Sequence, residues 1–368
     1  MLIKFKTLIN KIDIVSAKFK TTIMVLMCLI ISIVFTIALS KFNTTDTIPE
    51  LKAINSKIIQ ELGPLAVNVK TGMYIKNFPT FDVIKNDITF DAILWFEFNS
   101  DEISLDNIQK FSFDQDKILY KSPPDIKISG NQIFAKFQII INIKTSLNYN
   151  KFPFEDHKIA IMMTNNFFTP SEMYFTTDSN SFQLAPNIIP TSWKPKDLNV
   201  NAGYQELDLS KEDKTKKVFV PKALFTIDIE KQGIRKILII FIPLFASVFL
   251  GFFSFAMNIA NIVGKFSLSI SAVTALLGYR FVIEQMMPQV GYLTLTDILY
   301  LLLLLIALMC FIFQLLITRL YLLYSEDAKK TADKGLTQKF NYLEKINGIT
   351  FLIISFILTV LTSVIIMM

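Results

Sequence analysis

A chain of 368 residues with 52% hydrophobic and only 18% charged residues, and a mean hydropathy of +0.45, is richer in apolar side chains than soluble domains of this size. Its net charge of +6 comes substantially from a basic leader and from connections between apolar runs, which argues against a nucleic-acid partner. No serine elbow, phosphate loop, paired histidines or cysteine cluster is present, so the chain reads as a non-enzyme with no cofactor and no metal site.

Residues 1–20 form a basic leader, with Lys4, Lys6, Lys11, Lys18 and Lys20 against a lone Asp13, and are expected to stay in the cytoplasm. Residues 21–40 contain the first apolar run, 23–39. With Ala38 and Ser40 behind it this is a signal peptide or a transmembrane anchor; its length, beyond the roughly 7 to 15 apolar residues of a cleaved signal, favours the anchor.

Residues 41–234 are polar, charged and interrupted by turns, and their length is that of one globular domain. A helical piece is expected over 49–62, where Leu51, Ile54, Ile58 and Leu62 recur at helical spacing. Short strands follow. "QIFAKFQIIINIK" places Ile133, Ala135, Phe137, Ile139, Ile141 and Ile143 on one face, and "ALFTIDIE" alternates Phe225, Ile227 and Ile229 with Thr226, Asp228 and Glu230. Frequent proline, glycine and asparagine punctuation cuts the rest into short pieces, which predicts an all-β sandwich. Both cysteines, Cys28 and Cys310, fall in apolar runs, so no disulfide holds this domain.

Residues 235–368 carry four further apolar runs, 237–257, 266–287, 298–323 and 349–368, each near the roughly 20 helical residues that cross a bilayer. The expected fold is therefore a membrane protein: an extracellular all-β sandwich, a four-helix transmembrane bundle, and the additional N-terminal helix. The connection 324–345 holds Lys329, Lys330, Lys334, Lys339 and Lys345, whereas 288–296 holds no basic residue. With the leader, this makes 324–345 a cytoplasmic loop and puts the sandwich outside; Lys231, Arg235 and Lys236 argue more weakly for the reverse.

The third run is unusual. Ser267, Ser271, Thr274, Gly278, Phe281 and Gln285 follow one another at spacings of four and three, one face of a helix, small or hydroxylated until Phe281. Small residues let helices approach closely in a membrane bundle, and the stripe alone is compatible with that; several copies of it around a water-filled path are the other reading. Arg280 lies off the stripe, and Glu284 one turn later is its expected partner.

In this context "KFSLSIS" at 265–271, Pro288, Tyr292 and Asp297 resemble the pore helix and following loop of the pentameric ligand-gated ion channels, the Cys-loop receptor superfamily, and particularly its prokaryotic members. "KFPFEDHKIAI" resembles the family's signature loop without its cysteines, with its core at Phe152, Pro153, Phe154 and Glu155. "YKSPPDIKISGN" resembles the ligand-side segment at Pro124 and Asp125, with residues 120–122 replacing its tryptophan. Arg235 and Pro243 match the basic residue before, and the proline inside, the first bundle span. The resemblance covers about 49–368 and leaves the first helix outside.

It implies a ligand-gated channel, a homopentamer among membrane lipids, multi-pass in the plasma (inner) membrane with its β-domain extracytoplasmic, passing inorganic ions in response to a small-molecule agonist or protons. It places Gly264 and Lys265 at the inner mouth. It assigns gating coupling to Phe152, Pro153, Phe154, Glu155, Arg235, Pro288 and Tyr292, and an agonist site to Tyr174, Phe175, Tyr204 and Phe219, while Trp95 and Trp193 read as packing. Thr274 stands where the family has its leucine gate, which moves the expected barrier to Phe281. The inner acidic ring of cation-selective relatives is missing, and cations are only weakly favoured. His157, the sole histidine, stands beside Glu155 and Asp156 and is a candidate proton sensor, against the plainer reading of a buried, hydrogen-bonded imidazole. The alternative to a channel is a non-conducting membrane sensor whose exterior sandwich binds a ligand.

Overall fold

A computed structural model describes residues 16–39, 46–54, 66–114, 116–145, 147–190, 192–210, 217–330 and 336–367. Most of the leader and most of the 49–62 segment lie outside the described residues. Within its described part, 49–54, Lys52–Ala53 is a strand where helix was expected; residues 55–62 of that expectation lie outside the described residues. The chain forms two compact units.

One unit, Asn43–Asn148 with Glu155–Gly233, is β-rich. One sheet has the order β1 (Lys52–Ala53), β11 (Trp193–Asp208), β12 (Lys217–Lys231), β8 (His157–Thr164), β4 (Ser112–Phe113). The other has the order β10 (Phe182–Leu184), β2 (Val67–Asp82), β3 (Asp87–Asn99), β7 (Gln132–Ile143), β5 (Lys117–Lys121), with β6 (Asp125–Ser129) on β7 and β9 (Met173–Thr176) on β2. The alternation read from the sequence is the alternation of burial. Phe90, Ala92, Leu94, Phe96 and Phe98 of β3, Ala135 to Ile143 at every second position of β7, Ile159 and Ile161 of β8, and Phe225, Ile227 and Ile229 of β12 share one core. Gly72 on β2 lies beneath the Trp95 indole, where a Cβ would stand 2.3 Å from the ring, so Trp95 is a packing residue.

The other unit is helical and holds the five helices that, among the described residues, are long and apolar enough to cross a membrane. These are α1 (Ala17–Leu39), α3 (Arg235–Ala256), α4 (Ile262–Met286), α5 (Leu295–Lys330) and α6 (Leu336–Met367); α2 is one turn in the β unit, Leu105–Ile108. Helix therefore occupies most of 324–345, wider than a loop assignment allows. Pro243 interrupts the ladder of α3 because it has no N–H for the Ile239 carbonyl, and the Tyr279 hydroxyl of α4 donates to that carbonyl instead. Helix α1 is packed, not appended: Lys20, Met24, Met27, Ile31 and Ala38 form one buried face, and the Lys20 ammonium donates to the Phe255 carbonyl of α3 at 2.9 Å.

The helical unit also includes Tyr149–Phe154, although the chain on both sides of this segment belongs to the β unit.

Candidate functional site

Helix α4 starts at Asn261, whose side chain accepts the Gly264 N–H at 3.1 Å, and stops at Met287, one residue before Pro288. Its two faces differ in kind. Lys265, Ser269, Ala272, Leu276 and Ile283 are buried in the bundle. Ser267, Ser271, Thr274, Gly278, Phe281 and Gln285 are all exposed in the single chain, Phe281 by 75%. The small residues that let helices approach are on the buried face, where a Cβ on Gly251 of α3 would meet Ala272 at 3.5 Å and Cys310 of α5 at 3.8 Å. A Cβ on Gly278 would meet nothing within 4 Å. The stripe is therefore not spent on packing within the chain.

The inner-mouth assignment needs correction at Lys265. Its exposure is 0%, and its ammonium donates to Gln314 Oε1 at 3.1 Å. Gln314 Nε2 reaches Asn347 Oδ1 at 3.4 Å, and Asn347 Nδ2 donates to the Phe255 carbonyl at 3.0 Å, the acceptor that Lys20 also uses. A buried polar chain thus joins all five membrane-length helices. Going one turn back from Ser267, the stripe reaches Val263, 80% exposed, with half-buried Gly264 beside it.

At the other end of α4, Arg280 binds Glu284 at 3.2 Å as expected, and also Asp297 of α5 at 2.7 Å, with its guanidinium over the Tyr300 ring. Asp297 in turn accepts from the Thr294 N–H and hydroxyl at 3.0 and 2.9 Å. The charge is thereby held inside one chain, while Glu284, beside Gln285, keeps a side chain 68% exposed. Arg280, Glu284, Pro288, Tyr292 and Asp297 border a cavity of about 400 Å³.

The 149–154 segment sits against the α4–α5 connection. The Leu295 N–H donates to the Asn150 carbonyl at 2.8 Å, and the Thr296 hydroxyl to the Phe152 carbonyl at 2.8 Å; the Tyr149 N–H donates to the Tyr292 hydroxyl at 2.8 Å. Phe154 stacks on Phe241 at 5.6 Å, and the Lys236 ammonium lies over Phe152. The peptide bond between Phe152 and Pro153 is cis. Of the residues assigned to coupling, Phe152, Phe154 and Tyr292 are thus brought together. Pro288 is buried nearby, Arg235 is the exposed first residue of α3, and Glu155 belongs to the β unit. Asn150, Thr296 and Asp297 carry hydrogen bonds that sequence reasoning did not assign.

In the β unit, His157 is 1% exposed. Its Nδ1 lies 3.0 Å from Asp46 Oδ2 and its Nε2 3.7 Å from Glu155 Oε1. Burial pulls the proton affinity of the imidazole down, but hydrogen bonds and charge from Asp46 and Glu155 outweigh it, and the net shift is upward. The Trp193 ring packs on it at 5.6 Å. Asp46 has no pattern in the sequence that marks it, because its partners lie about a hundred residues away. Elsewhere, Asp116 borders a cavity of about 410 Å³, and burial first, with nearby Asp114 adding to it, pushes its carboxyl up to about 7 against the Lys144 N–H.

The agonist assignment holds together only in part. Tyr204 and Phe219 form an edge-on pair at 5.9 Å on β11 and β12. Phe175 is a correction: it is 2% exposed in the sandwich core against Phe96, out of reach of any ligand. Tyr174 is half-buried on β9, and among the described residues no ring contact joins it to the pair.

No protein-family model matches the chain, and no curated protein matches it.

Proposed function

We propose that the protein is a pentameric ligand-gated ion channel of the Cys-loop receptor type, a homopentamer in the plasma (inner) membrane with its β unit extracytoplasmic, opened by a small molecule or by protons. The observation that carries the proposal is the exposed face of α4. A helix of membrane length with hydroxyls and a bare glycine on its outer side gains nothing from lipid, and its own bundle does not use that face. Symmetric copies that turn this face toward a common axis supply water to the hydroxyls and neighbours to the glycine. Phe281 is then the widest apolar side chain on the axis and the natural dewetting barrier, in place of the leucine ring that Thr274 lacks.

Two features give the cation preference its support. Lys265 spends its charge inside the bundle, so it places no cationic ring at the inner end of the stripe; among the described residues the exposed carboxylate nearest the stripe is Glu284. Coupling follows the covalent chain. Asn148 and Glu155 belong to the β unit, so a ligand that shifts them moves 149–154, and with it the α4–α5 connection to which that segment is hydrogen-bonded. A ligand opens the pore only by binding the open form more tightly.

Reconstitution of the purified chain into planar bilayers tests the proposal. Discrete cation currents that follow pH or an added amine or carboxylate library are expected. Silence of well-folded, membrane-inserted protein across that range favours the non-conducting sensor.

A further inference from the structure

The first helix and Asp46 lie outside the family resemblance, yet each engages the 149–154 segment or its ends in its own way. Within the helical unit, Phe35 of α1 packs on Phe154 at 5.8 Å, on Phe241 at 4.9 Å and on Phe245 at 5.8 Å. Phe154 therefore lies between a ring of α1 and a ring of α3. Within the β unit, Asp46 gathers the two ends of the same segment. Its Oδ1 accepts the Asn148 N–H at 2.6 Å, before the segment; its Oδ2 accepts the Lys158 N–H at 2.8 Å, after it, and meets the His157 imidazole. One carboxylate thus closes the nine-residue excursion 149–157 at its base.

From this geometry we infer that the N-terminal arm, α1 with Asp46, is a permanent positioning element for the 149–154 segment, Asp46 clasping its base and Phe35 holding its apex. The arm is then part of the mature protein and no cleaved signal. Its effect on opening rests on the channel reading; its effect on the segment does not.

The clasp also responds to pH. The groups around His157 are Asp46 from the arm, Glu155 from the segment's end, and the Trp193 ring from β11; Asp156 turns instead to the Lys231 N–H at 3.0 Å, with Glu230 and Lys196 beyond it, and Lys158 pairs with Asp228. Glu155 is 2% exposed and its Oε2 has no hydrogen-bond partner among the described residues, so a cationic imidazole is the charge that compensates it. Because the folded imidazole holds its proton more tightly than a free one, the contribution of the pair is complete below the ordinary histidine range and is lost as pH rises through the raised value. The clasp loosens on the alkaline side.

Because His157 is the only histidine, a chain labelled with ¹³C at histidine gives a single imidazole signal. In the detergent-solubilised full chain that signal should titrate above the ordinary histidine value. Asp46→Asn should lower its proton affinity by roughly tenfold or more, one pH unit, and speed amide exchange across 147–158 relative to wild type at the same pH, most at low pH where the clasp is closed. Asp46→Glu should recover part of both. Phe35→Ala leaves the carboxylate in place, keeps the test open should Asp46→Asn fail to fold, and should speed exchange at 150–154 alone. An imidazole midpoint unmoved by Asp46→Asn, exchange unmoved by Phe35→Ala, or an intact mass showing that the purified chain starts after residue 39 would each overturn the inference. None of these readouts needs a conducting pore, so a silent bilayer and a failed clasp are distinct results.

Discussion

Lys265 and Ser267 stand two positions apart on α4 and face opposite surroundings, one sealed in the bundle and the other open. Two residues of helix turn the side chain through about 200°, so a motif can fix the stripe while a neighbouring residue assigned to the same mouth points away from it. The hydroxyl stripe was legible because its period is that of the helix. The Lys265 partners were not, because Gln314 and Asn347 come from distant helices. Arg280 shows the same division: Glu284 is one turn away and readable, whereas Asp297 depends on how α4 and α5 meet. Arg280→Leu leaves Asp297, 9% exposed, without its cation, at a cost of about 1–3 kcal/mol. Its thermal midpoint in detergent should fall, and, on the channel proposal, unitary conductance should stay near wild type. Addition of Asp297→Asn should return part of the lost stability.

At the scale of elements, alternation made β7 and β12 legible, and helical spacing misread the start of 49–62, whose residues 55–62 lie outside the described residues. Leu51 and Ile54 repeat as a helix would, but Lys52–Ala53 pairs with Gly203 and Tyr204 at the edge of β11. Tertiary pairing overrides so short a local signal. The pairing depends on Gly203, where a Cβ would stand 2.4 Å from the Lys52 carbonyl oxygen. Gly203→Ala should therefore release β1 from the sheet edge, seen as protease cutting near residue 52 and a lower thermal midpoint, with the core of β3 and β7 still protected from exchange. The 149–154 segment was legible as a motif. The grip of α1 and Asp46 on it was not, since nothing in a basic leader and an apolar run foretells which rings and amides they will meet.

For the molecule as a whole, composition announced membrane-length helices and a separate β-rich segment, and among the described residues five such helices and two sheets with a common core are present. The boundary between the parts was drawn too simply: 149–154 belongs with the helices. The aromatic agonist candidates were the least legible, because an aromatic on a strand fills a core as readily as a site, and Phe175 does the former. The proposed function rests on one property of one helix, that the Ser267, Ser271, Thr274 and Gly278 face meets water in the proposed membrane-inserted assembly. Single cysteines at these four positions, and at Ser269, Ala272 and Leu276 on the buried face, in a chain lacking Cys28 and Cys310, measure it directly through reaction with a charged, membrane-impermeant thiol reagent. The account predicts modification at the first four and protection at the other three. Protection at all seven, or equal reaction on both faces, would contradict it.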